Sequence, residues 1–395
     1  MTSRLILSLA FLYILKADSA AQRIDVSFVF DGVMREFIIS KPSGAVPSGG
    51  YPIVMVLHGT TGDGEKFYNI SGWKELGEKE KILTIYPSSL SFCVIGDLGF
   101  KVNQTKWNNG DLQTVKCPNL NQDFKDDVKF LKKIIDTVQR KFNTDSKRIF
   151  LTGFSNGSVM SGKMIVEASD VFTAIASSAG VLHPLDSGKV KRYIPAWQTL
   201  GTNDPNIYKI NNGNYLPFND SLKLFILGFA YPYLNCLNLD TVYTVVKSTN
   251  VYTFQFKKTK SATQNNFFNY SFMNGLDHQY PNGENYPVSD PLLFWEFFKQ
   301  AAALTTSVEN ISIPLHTIRV FPNPSKDMIT IELPPTFKNE VHLEVFNLLG
   351  EKVWDQKNIQ TTQHITLHKF QLGSGVFTAI WSSEKNKAIA KLIFD

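Results

Sequence analysis

Five residues, Gly153-Phe154-Ser155-Asn156-Gly157, set a serine between two glycines. Residues 148–152 before it read as a short apolar strand, and residues 158–168 after it read as a helix. A strand that turns sharply into a helix can hold a serine with its hydroxyl exposed. The flanking glycines remove the side chains that would clash at such a turn. A serine hydroxyl attacks poorly until a base takes its proton. The base is usually a histidine, and a carboxylate fixes that histidine's tautomer. In folds that hold the nucleophile on such a strand-to-helix elbow, the set runs Ser, then Asp or Glu, then His. Asp204, in Gly201-Thr202-Asn203-Asp204-Pro205, lies just beyond a stretch read as a strand at residues 196–200. Asn-Asp-Pro is also a common turn, but its place after that strand makes Asp204 the candidate acid. His278 follows the run 268–273. Of the seven histidines, His58 precedes Ser155 and His183 precedes Asp204. His316, His342, His364 and His368 fall near the C-terminus, so His278 is the candidate base. Asp277 adjoins it, but sequence neighbours rarely pair side chain to side chain in this geometry.

The oxyanion of a tetrahedral intermediate needs backbone N–H donors. Asn156, directly after the serine, supplies one. The second is expected from His58-Gly59-Thr60-Thr61-Gly62, where Thr60 or Thr61 would present its N–H. His58 is read as structural, its ring bonded to that loop.

The elements around these residues follow from patterning. Residues 24–30 and 33–39 are β-rich runs separated by Asp31-Gly32, a hairpin signal. Residues 51–57 and 82–86 are buried strands, and residues 73–81 form a helix. Residues 123–142 carry a one-sided apolar stripe, again helical. Residues 171–176 and 196–200 are further strands, and residues 292–298 belong to a closing helix. Strands alternating with helices imply an α/β fold, a mostly parallel sheet with helices on both faces. Residues 301–317 read as a linker. From residue 318 the chain shows only short alternating strands, at 328–333, 341–346, 364–367, 376–381 and 388–394. That is a small all-β sandwich with no helix signal.

Bulk properties exclude other classes. The net charge of +5 over 395 residues is not gathered into a basic block, so nucleic acid is not an expected partner. Arg4, the apolar run 5–15 and small residues at Ser19, Ala20 and Ala21 have the layout of a secretory signal peptide over residues 1–21. The run is too short for a stable membrane span. Export permits disulfides. The three cysteines leave at least one unpaired. Cys93 and Cys117 flank one polar segment and suit a loop-closing bridge, with Cys236 a buried thiol. None has metal-ligand spacing.

Beside this reading stands a resemblance. From about residue 23 to 300 the chain resembles secreted polyhydroxybutyrate depolymerases and feruloyl esterases of the α/β-hydrolase fold, including carbohydrate esterase family one. The matching pieces include Leu57-His58-Gly59, Ile85-Tyr86-Pro87, Asp126-Asp127-Val128-Lys129-Phe130-Leu131 and Gly153-Phe154-Ser155-Asn156-Gly157. Gly201-Thr202-Asn203-Asp204 and His278-Gln279-Tyr280-Pro281-Asn282-Gly283 complete the order. The resemblance implies a nucleophile, acid and base at Ser155, Asp204 and His278. It implies oxyanion donors at Thr60, where many members carry Cys, and Asn156. No metal or organic cofactor is implied. Residues 89–117 and 205–233 depart from the family pattern. Both are expected to border the cleft, with Trp107, Tyr208, Tyr215 and Tyr233 either lining it or anchoring loops.

The C-terminal part, 318–395, resembles the sorting domain of the type IX secretion system. Val320-Phe321-Pro322-Asn323-Pro324, the stretch 345–353, Leu372-Gly373-Ser374-Gly375 and Ala390-Lys391-Leu392-Ile393-Phe394 carry that resemblance. The expected organisation is thus a signal peptide at 1–21, a catalytic domain at 22–300, a linker at 301–317 and a sorting domain at 318–395. The expected function is a secreted serine carboxylic-ester hydrolase working through an acyl-enzyme. Its substrate would be a feruloyl or acetyl ester on plant polysaccharide, or a polyhydroxyalkanoate-type polyester. The expected partners are that polymeric ester and the type IX machinery, and the location is secreted or cell-surface. An acyl transferase on the same fold and a non-catalytic surface-binding protein are the alternatives.

Overall fold

The computed structural model describes residues 21–96, 98–261, 264–306, 319–332, 340–347, 351–360, 364–383 and 387–395. The signal-peptide reading of residues 1–21 therefore lies almost wholly outside the described residues, as does most of the stretch read as linker. The chain divides into two units, residues 1–306 and 307–395.

The first unit opens with the hairpin β1 (Gln22–Phe30) and β2 (Val33–Lys41), joined by Asp31 and Gly32 at φ 52° and 76°. Then come β3 (Tyr51–Leu57), α1 (Gly64–Ile70), α2 (Trp73–Glu80) and β4 (Leu83–Pro87). A small separate hairpin, β5 (Ser91–Ile95) and β6 (Lys101–Thr105), precedes α3 (Gly110–Val115) and α4 (Asp127–Lys141). Next are β7 (Thr144–Phe154), α5 (Asn156–Glu167), β8 (Ala174–Ser178), β9 (Ala196–Gly201), α6 (Pro205–Ile210) and α7 (Ile226–Cys236). The unit closes with β10 (Thr244–Lys247), β11 (Val251–Phe256), β12 (Phe268–Met273) and α8 (Asp290–Thr306).

Ten of these strands form one sheet in the order β1-β2-β4-β3-β7-β8-β9-β12-β11-β10. The run from β4 to β12 is parallel, and an antiparallel pair borders it on each side. Successive side chains of a strand face opposite ways. In β3, Ile53, Met55 and Leu57 meet Phe130 and Ile134 of α4 and Met160 and Met164 of α5. Val54 and Val56 join Trp73 of α2 and Phe294, Trp295 and Phe298 of α8 on the other face. A strand buried on both faces must be apolar throughout, which is why residues 51–57 show no alternation.

Helix boundaries follow local chemistry. Helix α4 starts at Asp127 rather than at 123 because the Asp126 carboxylate caps it, accepting Lys129 N–H at 3.0 Å. Strand β8 starts at Ala174 rather than 171, because Val171 N–H bonds Ala168 O in the turn that ends α5. Helix α8 runs on to Thr306, past the expected domain end at 300, with Ala301 and Ala302 buried against the core. Alanine is the best helix former, so a small-residue stretch extends a helix as readily as it makes a linker.

A buried ion pair ties three parts of this unit together. Arg35 Nη2 of β2 donates to Asp127 Oδ1 of α4 at 2.7 Å, and its guanidinium lies 3.6 Å from the centre of the Phe130 ring. Asp127 Oδ2 also accepts Asn108 N–H at 2.7 Å. The Cys93–Cys117 bridge closes the segment that contains Asn108, and Cys236 is a buried free thiol.

The second unit pairs β13 (Arg319–Phe321), β14 (Met328–Glu332) and β17 (His364–His368) in one sheet. The other holds β15 (Glu340–Phe346), β16 (Lys352–Gln360), β18 (Gly375–Ser382) and β19 (Lys387–Phe394). Ile329, Ile331 and Leu367 of the first pack with Leu343, Val345, Trp381 and Leu392 of the second. A four-residue helix, α9 (Lys369–Leu372), corrects the helix-free expectation. Asn323 of the Pro-Asn-Pro motif bonds the last strand from both sides. Its Nδ2 donates to Lys391 O at 2.7 Å, and its Oδ1 accepts Ile393 N–H at 2.8 Å. The opening and closing motifs of this unit are thus one hydrogen-bonded structure. Among the described residues no helix is long and apolar enough to cross a membrane.

Candidate active site

The elbow forms where β7 ends. Ser155 has φ 54° and ψ −120°, a conformation that side-chain-bearing residues rarely adopt. Its turn is tight enough that a Cβ on Gly153 would lie 2.3 Å from Gly157 O. Asp204 follows β9 and His278 follows β12. The three strands belong to one parallel run, β7-β8-β9-β12, so their carboxyl ends bring the three residues to one edge. His278 Nε2 lies 2.8 Å from Ser155 Oγ, and His278 Nδ1 lies 2.7 Å from Asp204 Oδ2. Asp204 is 1% exposed. It also caps α6, accepting Asn206 N–H at 2.8 Å through Oδ1. Its two oxygens are thereby divided, one for the backbone and one for the histidine. Asp277, the sequence neighbour, instead accepts Gln279 Nε2 at 2.9 Å.

The loop after β3 separates the two threonine candidates. Thr61 N–H is committed to Thr105 O at 3.0 Å and Gly62 N–H to Gly59 O at 3.1 Å. Thr60 N–H has no such bond among the described residues. Asn156 is the first residue of α5, so its N–H has no intrahelical acceptor. Beneath the loop, His58 is fully buried, and burial pushes its pKa down to about 4. The neutral ring donates from Nδ1 to Gly59 O at 2.7 Å and accepts Ser89 N–H at Nε2, 3.0 Å away. That is the structural role expected of it.

Sequence reasoning missed what holds Asn156. Its Oδ1 accepts Trp107 N–H at 2.8 Å, its Nδ2 donates to Asp111 Oδ2 at 2.9 Å, and its carbonyl accepts Asn109 Nδ2 at 3.0 Å. Asp111 is paired with the mostly buried Lys106 at 2.6 Å. Trp107 is fully buried and donates from Nε1 to His58 O at 2.9 Å. Trp107 is therefore a loop anchor, as is Tyr233, buried with its hydroxyl on Gln198. Tyr208 and Tyr215 are half exposed and pack on each other. No spacing rule marks this cluster, because its members meet only through the fold. Asp111→Ala is expected to lower kcat for a p-nitrophenyl ester about tenfold with little change in KM, since it frees the Asn156 donor rather than the ground-state contacts. Steady-state kinetics would check this.

A cleft of about 300 Å³ adjoins His278 and Thr60. Phe67, Phe154 and Tyr280 form its aromatic wall, and Lys66, Asn282 and Asn285 its polar rim. Tyr280 is fixed by Trp73 Nε1, which donates to its hydroxyl at 2.8 Å.

Asp290 anchors the far end of the His278 loop through its N–H on Pro281 O at 2.8 Å. Its carboxyl is fully buried beside Thr199 Oγ1, 3.2 Å away, and burial pushes its pKa up to about 8. The folded protein thus keeps a proton that the unfolded chain releases near pH 4. The stabilisation is complete below that pH and is lost as pH rises through 8. Asp290→Asn should therefore remove a fall in melting temperature between pH 5 and 9, worth on the order of a few kcal/mol. Melting curves of both proteins across that range would check it.

Residues 113–225 match the prolyl oligopeptidase family, a span that contains Ser155 and Asp204. The first unit has the α/β-hydrolase fold, a large mostly parallel sheet with helices on both faces. Residues 319–395 match the secretion system C-terminal sorting domain. The chain is similar to a bifunctional acetylxylan esterase/xylanase of Neocallimastix patriciarum, 25% identical over 173 residues, which are 44% of this chain and 22% of that protein. It is also similar to poly(3-hydroxyalkanoate) depolymerase C of Paucimonas lemoignei, 30% identical over 140 residues, 34% of this chain and 30% of that one. The chain thus spans well under half the length of these relatives. An acetyl xylan esterase structure from Aspergillus awamori aligns over 67% of this chain and 94% of its own, at 16% identity and a TM-score of 0.45.

Proposed function

We propose that this α/β-hydrolase is a serine carboxylic-ester hydrolase that works through an acyl-enzyme. The observation that carries the reading is the hydrogen-bonded chain from Ser155 Oγ through His278 to Asp204. In this reading His278 Nε2 takes the Ser155 proton as Oγ attacks the ester carbonyl carbon. Asp204 holds the Nδ1 proton and stabilises the imidazolium. The oxyanion faces the N–H groups of Thr60 and Asn156. Collapse of the intermediate expels the alcohol, which receives its proton from His278. Water then attacks the acyl-serine with His278 again as base, and the carboxylic acid leaves. The test is hydrolysis of p-nitrophenyl acetate by the purified chain. A protein inert on all such esters would favour a surface-binding role instead.

The proposed substrate is a feruloyl or acetyl ester on plant polysaccharide, or a polyhydroxyalkanoate-type polyester. The relatives above support the acetyl and polyester classes, being named for acetylxylan and poly(3-hydroxyalkanoate). The aromatic wall of Phe67, Phe154 and Tyr280 favours an acyl group larger than acetyl. p-Nitrophenyl ferulate or p-nitrophenyl butyrate should therefore exceed p-nitrophenyl acetate in kcat/KM. An acetate preference would overturn that part of the reading. The sorting domain supports export by type IX secretion to the cell surface or medium, after a signal peptide at residues 1–21. Deleting residues 319–395 in the native host should retain the protein inside the cell envelope, as fractionation would reveal.

A further inference from the structure

A second cleft, of about 330 Å³, opens at the end of the sheet away from Ser155. Asn266, Phe267 and Asn269 stand at the start of β12, whereas His278 follows its other end. The strand's six residues place about 20 Å between the two ends. Gln255 of β11 and Gln300 of α8 complete the walls.

The lining holds amides that the protein leaves unsatisfied. Asn266 and Asn269 are each 3% exposed. Asn266 Nδ2 donates to Leu237 O at 2.9 Å, which orients the amide and leaves Oδ1 as an acceptor without a partner. Asn269 Oδ1 also has none among the described residues. Gln264 accepts Asn238 Nδ2 at 2.8 Å through Oε1, so its unpartnered Nε2 is a donor. Native proteins rarely bury such groups without a purpose.

The chemistry of the cleft selects a ligand class. Among the described residues no carboxylate lines it, so a cation held there would have neutral amide oxygens alone and would face Lys257. Lys257 is its single cation among the described residues, too little for a polyanion. The accessible amides of Gln255 and Gln300 in the lining offer both donors and acceptors and match hydroxyl groups, which both donate and accept. Phe267 and Leu304 offer apolar surface for the C–H face of a sugar ring. We propose that this cleft binds a neutral oligosaccharide segment and holds a polysaccharide at a point remote from Ser155. The proposal does not depend on the esterase reading.

The test uses the full chain in native gels cast with neutral arabinoxylan, β-glucan or glucomannan. Wild type should be retarded by at least one of them. Gln255→Ala/Gln300→Ala changes partly exposed wall residues and should weaken that retardation about tenfold. Its melting temperature and its p-nitrophenyl acetate hydrolysis should stay at wild-type levels. Asn269→Ala should weaken binding in the same way. Absence of retardation by every neutral polysaccharide overturns the proposal, as does equal retardation of wild type and both variants. Retardation by polygalacturonate alone overturns the ligand class. Loss of ester hydrolysis with retained retardation would strike only the esterase reading.

Discussion

Ser155→Ala should reduce hydrolysis of p-nitrophenyl acetate by about 10⁵-fold or more, because no other group can carry the acyl intermediate. His278 and Asp204 remain paired in that variant, but the imidazole has no hydroxyl to deprotonate. The backbone adds a second, independent expectation. Ser155 is held at φ 54°, where a Cβ is strained and glycine is not. Ser155→Gly should be equally inactive yet melt at a higher temperature than wild type, by an amount corresponding to about 1 kcal/mol or more. The serine variant is less stable only if the strain belongs to the nucleophile's position. Hydrolysis that survives Ser155→Ala unchanged would remove the mechanism. A Ser155→Gly protein no more stable than wild type would remove the strain argument alone.

Gly157→Ala should damage both stability and activity. A Cβ there would lie 2.5 Å from His58 O and 2.6 Å from Leu57 O. Both are backbone atoms at the end of β3, so no side chain can swing aside. Helix α5 must retreat from β3, and Asn156 moves with it, away from Thr60. Overpacking of this kind costs about 3 kcal/mol or more when backbone must shift. Loss of one oxyanion donor lowers kcat by about 10²-fold or more. Melting and steady-state kinetics on a p-nitrophenyl ester would read the two effects separately. Gly228→Ala is the control. It lies inside α7 with nothing within 4 Å of the added methyl, so helix propensity predicts no loss of stability. A Gly157→Ala protein as stable as the Gly228→Ala protein would show that the elbow tolerates a side chain.

Much of the parallel sheet was legible because strands buried on both faces tend to be continuous apolar runs, as at 51–57. The antiparallel border of β10 and β11 was not. The four residues of β10 are all exposed and carry no hydrophobic period. The β5–β6 hairpin was hidden for the same reason, since only Phe92 and Val94 turn inward from a polar segment. Helix α1 was missed because it is seven residues long and buries little beyond Phe67. The aromatic residues proposed for a cleft divide by partner rather than by type. Trp107 is drawn inward by His58 O and Tyr233 by Gln198, whereas Tyr208 and Tyr215 find no buried acceptor.

By itself the sequence determined which residues could be nucleophile, acid and base. A serine between glycines after a strand, an aspartate after a later strand and a histidine after a third stand in an order that few other residues satisfy. It also carried the second unit, whose opening and closing motifs are local strings. Only the tertiary structure decided which N–H groups are free. Thr61 is spent on Thr105 and Thr60 is not, a difference made by a hairpin more than forty residues away in the chain. It alone showed that Asn156 is held by Trp107, Asn109 and Asp111. The reason is physical: residue type and strand position are written locally, whereas the satisfaction of a polar group depends on whatever distant segment the fold brings against it.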